Sequence, residues 1–246
     1  MPDNISGKVV LILGGAGGIG LATAEALALR GAGIALADID TAGLKSAVDT
    51  LKQRGARVRA YPVDVRLRDN TSQLVKSVVD DLGRLDVLIN CAGIMFIRPI
   101  TELSLDEWEL TIDLNLKGTL WGVAAALPVF LAQHQGHIIT LGSIHGLKVF
   151  PGGAVHSASK FAVRAFSEGL RAELAGHGVR VTTIMPGAVA TGMEQRTTGT
   201  DQDRVRAIYA HAISPAAVAE AIAFAVEQPD TVSISELVVR PTAQEL

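Results

Sequence analysis

Short apolar stretches alternate with longer amphipathic stretches along the whole chain. The apolar stretches are rich in Val, Ile and Leu and are flanked by glycine or polar residues, which is typical of buried strands. Several amphipathic stretches end at a glycine, as helices commonly do. We predict strands at 8–13, 33–38, 57–64, 86–90, 136–143, 179–186 and 234–239, and helices at 19–30, 41–54, 67–82, 104–132, 154–175 and from 215 onward.

This alternation predicts the fold class. Strands that alternate with helices of this length form βαβ units around a parallel sheet, and continuous apolar strands indicate a sheet covered on both faces. No linker, composition break or repeat divides residues 1–246, so we predict a single α/β domain with a Rossmann-like, doubly wound fold. The stretch near 192–213 is predicted to be irregular, and Ser214 and Pro215 open the last helix as cap and first-turn residue.

Composition and charge narrow the range of partners. The chain has 48% apolar and 19% charged residues, which predicts a globular protein. Its net charge is −3 and it has no basic block, so nucleic acid is not an expected partner. The six histidines show no spacing typical of a metal site, so we expect no metal.

The expected location is the cytoplasm. The single cysteine, Cys91, can form neither an internal disulfide nor a cysteine zinc cluster, which fits a reducing compartment. The N-terminus lacks the pattern of a secretory signal. The uncharged run at 9–24 is rich in glycine, and the apolar run at 121–132 has only twelve residues and contains Pro128. We therefore expect no membrane association.

A glycine-rich segment, LILGGAGGIG, follows the first predicted strand. It places Gly14, Gly18 and Gly20 between that strand and the first helix. Glycine here permits a tight turn and lets backbone N–H groups approach a pyrophosphate, to which the helix N-terminus adds partial positive charge. Because the segment lies between a strand and a helix, as this binding mode requires, we predict a dinucleotide-binding loop.

Asp38 ends the second predicted strand, 18 residues after Gly20. A carboxylate at this place hydrogen-bonds both ribose hydroxyls of an adenosine and repels a 2′-phosphate. The next residues are Ile39 and Asp40, not arginine. This pattern favours NAD over NADP. The alternative interpretation is a solvated acid at a strand end.

Further motifs, in order along the chain, resemble the short-chain dehydrogenase/reductase family over nearly the whole sequence. The segment NCAG at 90–93 is similar to the family's Asn-Asn-Ala-Gly turn, and PGAVAT at 186–191 is similar to the loop that holds the nicotinamide amide. The resemblance implies that the cofactor contacts Gly14, Gly18, Ile19, Gly20, Asp38, Asp64, Val65, Asn90, Ala92, Gly93, Lys160, Pro186, Gly187, Val189 and Thr191.

The same resemblance implies the architecture and the assembly. It implies a seven-stranded parallel sheet flanked by helices and a nicotinamide cofactor. It also implies a homodimer or homotetramer that is formed mainly through the helices at 104–132 and 154–175. A substrate lid is expected around 191–213.

The catalytic residues resemble those of the family with one exception. Asn115 in DLNLKG, Ser143 in LGS and Lys160 match the family's asparagine, serine and lysine. His156 stands where the family has the tyrosine of Tyr-x-x-x-Lys. A second departure is Leu13, where the family usually has threonine. The resemblance implies that Ser143 binds the substrate oxygen, Lys160 holds the ribose and Asn115 supports a proton relay.

Histidine at position 156 can itself move a proton. Its unperturbed pKa lies near 6.5, so it needs no activation by lysine. Lys160, one helical turn away, disfavours the imidazolium, and a neutral ring accepts a proton better than it donates one. We therefore expect alcohol oxidation to be easier than ketone reduction. The far ring nitrogen lies roughly 2 Å closer to its own Cα than a phenol oxygen does, and a displacement of about 1 Å can slow a reaction on the order of 100-fold.

The sequence therefore predicts an NAD-dependent oxidoreductase. Apolar residues near the expected site, Met95, Phe96 and Phe150, favour a hydrophobic secondary alcohol and its ketone as substrates. The alternatives are a weak or inactive NAD-binding relative, or an engineered Tyr-to-His variant of an active enzyme. His145 borders the same site and is a candidate to assist, whereas Tyr209 could replace the missing phenol only by swinging in.

Overall fold

Seven parallel strands form one sheet at the centre of the fold. The computed structural model describes residues 5–196 and 202–244. The strand order is β3-β2-β1-β4-β5-β6-β7, which confirms the predicted fold class. The strands are β1 (Val9–Leu13), β2 (Gly33–Asp38), β3 (Val58–Pro62), β4 (Val87–Asn90), β5 (Gly136–Leu141), β6 (Val179–Pro186) and β7 (Glu236–Val239).

Helices cover both faces of this sheet. In β1, Val9 and Leu11 belong to one apolar cluster, whereas Val10 and Ile12 belong to the other. This alternation follows from the two-residue period of a strand and explains why β1 is apolar at every position. The helices are α1 (Gly18–Ala28), α2 (Thr41–Gln53), α3 (Arg68–Leu82), α4 (Leu105–Ile112), α5 (Gly118–Gln133), α6 (Ala154–Glu173), α7 (Gln202–Tyr209) and α8 (Pro215–Glu227).

The strand order changes direction beside β1, which has β2 on one side and β4 on the other. In open α/β sheets a crevice forms at this point, outside the carboxyl ends of the strands. The glycine loop leaves the carboxyl end of β1 and the segment NCAG leaves that of β4. The topology therefore brings both motifs to one crevice.

The helix predicted at 104–132 is confirmed as one continuous helical stretch, Leu105–Gln133, but it is not α-helical throughout. A π-helical segment, Asp113–Lys117, separates α4 from α5. The combined helix Leu105–Gln133 is long and apolar enough, by length and composition alone, to cross a membrane. Core helices of soluble proteins pass the same test, and α5 places Val123, Ala126 and Phe130 in the core beside the sheet.

The irregular stretch predicted near 192–213 is also wrong in part. It contains a short 3-10 turn, Met193–Arg196, and helix α7. Helix α7 is polar over most of its length and buries mainly Val205, so its apolar pattern is weak. Residues 197–201 of the predicted lid lie outside the described residues.

Candidate active site

The glycine loop is pressed against the turn that follows β4. Gly14 has a φ of 83°, which favours glycine. A Cβ on Gly14 would lie 2.6 Å from the backbone nitrogen of Ala92, so the close approach also requires glycine. Gly17 caps α1 without a side chain, so no side chain of the cap occupies the first amides of the helix. This arrangement fits a diphosphate at the helix N-terminus.

An acidic edge borders the same crevice. The carboxylate of Asp38 accepts hydrogen bonds from the backbone nitrogens of Ala16 at 3.0 Å and Asp40 at 3.1 Å, which fixes it beside the glycine loop. Asp64 pairs with Arg66, whose hydrogen bonds hold the pKa of that carboxyl below its usual range. Between the glycine loop and this acidic edge lies a cavity of about 560 Å³. It is lined by ten of the predicted cofactor residues: Gly14, Gly18, Ile19, Gly20, Asp38, Asp64, Val65, Ala92, Gly93 and Thr191.

A second cavity of about 750 Å³ adjoins the first. Four further predicted cofactor residues, Lys160, Pro186, Gly187 and Val189, line it together with Ser143 and His156. The two cavities share Ile19, Cys91, Gly93, Ile94, Thr191 and Met193 in their walls. The crevice therefore continues from the glycine loop to the predicted catalytic side chains.

Two predicted site residues do not line either cavity. Asn90 is buried within the fold, and Asn115 is only 1% exposed and lies behind the wall. Phe96, expected at the rim, lines a separate neighbouring cavity with Trp108, whereas Met95 and Phe150 line the second cavity as predicted.

Ser143 presents its hydroxyl to the second cavity. Its Oγ accepts a hydrogen bond from the backbone nitrogen of His145 at 3.1 Å. Because this bond uses an acceptor lone pair, the hydroxyl proton is left to donate to a substrate oxygen.

Lys160 is buried at the base of the cavity. Its Nζ donates to the carbonyl oxygen of Leu141 at 2.7 Å, and burial lowers its pKa to about 8. Burial also raises the pKa of the nearby Cys91 thiol to about 12, so this thiol is protonated and unreactive near neutral pH.

His156 is buried, with 5% of its surface exposed. Its Nδ1 lies 3.2 Å from the carbonyl oxygen of Ile94. Burial, with smaller contributions from Lys160 and His145, lowers the pKa of His156 well below 6.5. The imidazole is therefore neutral at pH 7 and is chemically able to accept a proton.

His145 forms part of the same cluster, as the sequence suggested. Its ring stacks on Phe150 with the centroids 3.9 Å apart and meets the His156 ring edge-on at 5.5 Å. Burial lowers the pKa of His145 to about 4. Two neutral imidazoles therefore border the position where a substrate oxygen would contact Ser143.

Neither tyrosine takes the missing phenol's position. Tyr61 donates its hydroxyl to Asp81 from β3. Tyr209 lines the second cavity, but burial raises its pKa to about 12, so it is a poor proton acceptor. Sequence reasoning missed Gln244, whose Oε1 accepts from the Ala188 nitrogen at 2.9 Å at the cavity wall. No local pattern marks a lone glutamine near the C-terminus as a site residue.

Comparisons with known proteins agree with the fold and with the family that the sequence resembles. The family model described as short chain dehydrogenase matches residues 8–202. An uncharacterized oxidoreductase of Listeria monocytogenes is 40% identical over 244 residues, which cover 98% of each protein. NAD+-bound xylitol dehydrogenase is 26% identical with a TM-score of 0.88, covering 96% of this chain and 98% of that one. The closed form of serine dehydrogenase with NADP+ is 30% identical with a TM-score of 0.89, covering 97% and 96%.

Proposed function

This chain belongs to the short-chain dehydrogenase family, and we propose that it oxidises a hydrophobic secondary alcohol with NAD, using His156 as the proton acceptor. The observation that carries the proposal is the continuous crevice. The glycine loop and Asp38 border one end, and Ser143, His156 and Lys160 border the other.

The preference for NAD rests on Asp38 and its surroundings. Its carboxylate is held at the end of β2, close to Asp40. Arg66 lines the same cavity but is engaged with both carboxylate oxygens of Asp64. A 2′-phosphate in this place would meet the negative charge of Asp38, and Arg66 is already paired with Asp64, whereas ribose hydroxyls can donate hydrogen bonds to Asp38.

The reaction divides between the cofactor and the chain. When bound, NAD supplies the acceptor for the hydride that leaves the substrate carbon. Ser143 donates a hydrogen bond to the substrate oxygen, and His156 takes the O–H proton as the C=O bond forms. The alcohol loses two electrons and two hydrogens in this step, and the proton on His156 later returns to solvent.

The protonation state of His156 bears on which direction of the reaction this chain catalyses more readily near neutral pH. Because burial, Lys160 and His145 all lower its pKa, the ring is neutral at pH 7 and has a free lone pair, but it is also a weaker base than a free imidazole and seldom carries a second proton to donate. The apolar wall, which includes Met95, Ile97 and Phe150, favours a hydrophobic substrate. These features support oxidation over reduction.

The test combines turnover with cofactor binding. The purified chain and its His156→Ala variant are assayed with NAD and a panel of secondary alcohols at pH 8, and NADH affinity is measured by calorimetry. We expect the variant to lose at least about 100-fold in kcat, as for other general bases, while its NADH affinity changes less than threefold.

The variant His156→Tyr serves as the matched control, because it restores the family's tyrosine. Equal turnover in the parent and His156→Ala would exclude histidine as the base. Turnover only in His156→Tyr, with NADH binding intact in the parent, would favour the weak or inactive relative instead.

A paired substitution tests the choice of cofactor. We expect Asp38→Ser combined with Ile39→Arg to weaken NADH binding and to strengthen NADPH binding, so that the affinity ratio changes by at least tenfold. The single variant Ile39→Arg, which keeps the carboxylate, is the control. A parent protein that binds NADPH more tightly than NADH would refute the preference.

A further inference from the structure

One ring nitrogen of His156 has a defined partner. Its Nδ1 lies 3.2 Å from the carbonyl oxygen of Ile94, and a carbonyl oxygen can only accept a hydrogen bond. The hydrogen of the neutral imidazole must then be on Nδ1. Nε2 is left with a lone pair and no hydrogen.

The Ile94 carbonyl is held in place by Asn115. The Asn115 Oδ1 accepts from the Ile94 nitrogen at 2.8 Å, and its Nδ2 donates to the Ile94 oxygen at 2.9 Å. The side-chain amide thus pairs with Ile94 at both its N–H and its C=O. These bonds also fix which end of the amide is nitrogen, because only the nitrogen can donate to a carbonyl.

Asn115 reaches His156 by a second path. Its other Nδ2 hydrogen points to Ser159 Oγ at 3.1 Å, and Ser159 donates to the backbone oxygen of His156 at 2.7 Å. Asn115, Ser159 and His156 are at most 5% exposed, so water does not compete freely for these bonds. One amide therefore supports both the ring and the backbone of His156.

The charged and titratable neighbours of the ring do not offer it another partner. Lys160, from the same helix, donates its hydrogen bond to Leu141, and within the described residues it forms none with His156. His145, from the loop after β5, meets the ring edge-on. Both disfavour a second proton on His156.

We infer that Asn115 is a positioning residue which, through the Ile94 carbonyl, fixes His156 in the Nδ1–H tautomer and presents Nε2 as the proton acceptor. The catalytic part of this inference rests on the proposed function. The tautomer itself is a property of the protein without cofactor or substrate.

The arrangement gives Lys160 a different task from the one that the family resemblance implies. A phenol requires a nearby cation to ionise near neutral pH, whereas a neutral imidazole already carries its lone pair. Lys160 then contributes to cofactor binding and is not needed to ionise the residue at position 156, and its charge only helps to keep the imidazole neutral.

The tautomer can be read directly by NMR. Protein labelled with ¹⁵N-histidine is examined at pH 7.5 without cofactor by long-range ¹H–¹⁵N correlation, and His156→Gln identifies the signals of His156. We expect the hydrogen on Nδ1 in at least tenfold excess over Nε2. A predominant Nε2–H form, or an imidazolium, would overturn the inference.

The same spectrum contains an internal control of opposite sign. His137 Nε2 lies 2.8 Å from Thr182 Oγ, and that hydroxyl donates its only hydrogen to the Ile234 carbonyl at 2.6 Å. His137 must then carry its hydrogen on Nε2. We therefore expect one spectrum to show two buried neutral histidines with opposite tautomers, Nδ1–H for His156 and Nε2–H for His137.

The role of Asn115 is tested by Asn115→Ala, with Asn115→Ser as the second variant if alanine does not fold. An unchanged His137 signal shows that the fold is intact. We expect the His156 tautomer excess to fall below threefold, and kcat for alcohol oxidation to fall at least tenfold with KM changed less than threefold. An unchanged tautomer ratio in a folded variant would refute the positioning role.

The outcomes separate the two proposals. A parent protein with Nδ1–H on His156 but no turnover with any alcohol would contradict the proposed function and leave the tautomer assignment standing. Turnover that depends on His156, with the hydrogen found on Nε2, would contradict only the present inference.

Discussion

Asn90 and Leu13 illustrate how one residue can leave a buried polar group without a partner. Asn90 is 4% exposed, and neither atom of its amide has a hydrogen-bond partner in the described part of the chain. Leu13 is its register partner on β1. A Cβ on Gly122 would approach both side chains, so they lie together. The threonine expected at position 13 from the family resemblance would bring a hydroxyl to this amide.

We therefore compare Leu13→Thr with Leu13→Val, two variants of equal shape. Both lose apolar volume, but only threonine can bond to Asn90. We expect Leu13→Thr to be the more stable of the two by about 1 kcal/mol in the free energy of unfolding, measured with urea. Without such a bond, burial of the hydroxyl would make the valine variant the more stable.

Lys160 presents a different case, an ionisable side chain whose burial reduces the stability of the fold. Its pKa in the fold is about 8, below the ordinary 10.5. Between pH 8 and 10.5 the Lys160 side chain binds more protons in the unfolded chain than in the folded chain, so its contribution to the free energy of unfolding rises with pH. Below pH 8 the side chain is charged in both states, and burying it has its full destabilising effect.

Replacing Lys160 by methionine should remove this destabilisation. At pH 7 we expect Lys160→Met to raise the free energy of unfolding by roughly 2 kcal/mol, with a smaller gain at pH 9.5, and to weaken NADH binding. The exposed Lys45→Met is the control and should change stability by less than about 0.5 kcal/mol. A destabilised Lys160→Met variant at pH 7 would contradict this account.

At the level of elements, the sequence predicted where most helices and strands lie but not where a helix changes its winding. The stretch 104–132 has continuous helical patterning, and nothing in that pattern indicates the π-helical segment Asp113–Lys117. Such a segment depends on contacts with distant residues. Asn115 bonds to Ile94, which is 21 residues away, and Thr119 donates to the Asn115 carbonyl at 2.9 Å.

The bond from Thr119 gives the π-helical segment a testable support. Thr119→Val keeps the shape of the side chain but leaves the Asn115 carbonyl without this donor. We expect a loss of about 1 to 2 kcal/mol in the free energy of unfolding, and recovery of most of it in Thr119→Ser. Equal stability of the valine variant and the parent would show that water or another group replaces the hydroxyl.

Strand β5 carries a buried histidine, His137, which contacts Thr182 of β6 and should make stability depend on pH. Burial, then Arg180 and Lys8, lower the pKa of His137 well below 6.5. The unfolded chain therefore binds more protons than the folded chain below pH 6.5, and stability falls as the pH falls through this range.

We expect His137→Gln, which keeps a donor for Thr182, to reduce this loss between pH 6.5 and 5. The reduction should be about 1 kcal/mol per pH unit, with His145 and His156 supplying the remaining loss. Urea titrations at several pH values measure it. The exposed His177→Gln is the control, and an equal slope in His137→Gln and the parent would contradict the prediction.

For the whole molecule, the fold class and the cofactor end of the site were predictable because their signals are local. The glycine loop, Asp38 and the segment 90–93 each follow a strand, and parallel topology brings strand ends to one edge. The partners of His156 were not predictable, since Ile94 lies 62 residues away along the chain. The parts of the cavity wall contributed by α7 and Gln244 depend on tertiary packing, which the spacing of apolar residues in the sequence does not indicate.

The attachment of α8 and β7 to the rest of the sheet is another property that becomes visible only in the whole fold. Arg180 of β6 is 7% exposed, and its guanidinium lies at the end of α8. It donates to the carbonyl oxygens of Ala225, Gln228 and Val232 at 3.2 to 3.3 Å. A cation is favourable at a helix C-terminus, where carbonyl groups lack partners within the helix.

This guanidinium should therefore control how firmly α8 and β7 are held. We expect Arg180→Met to lower the free energy of unfolding by about 3 kcal/mol, because several buried or partly buried carbonyl groups lose their donor. Arg180→Lys, which keeps the charge but not the planar set of donors, should lose about half as much. Hydrogen exchange measured by mass spectrometry should rise in residues 215–239 before it rises in β1 and β4. Equal protection of these segments in Arg180→Met would mean that apolar packing by Val218, Ile222 and Val226 holds the unit without the arginine.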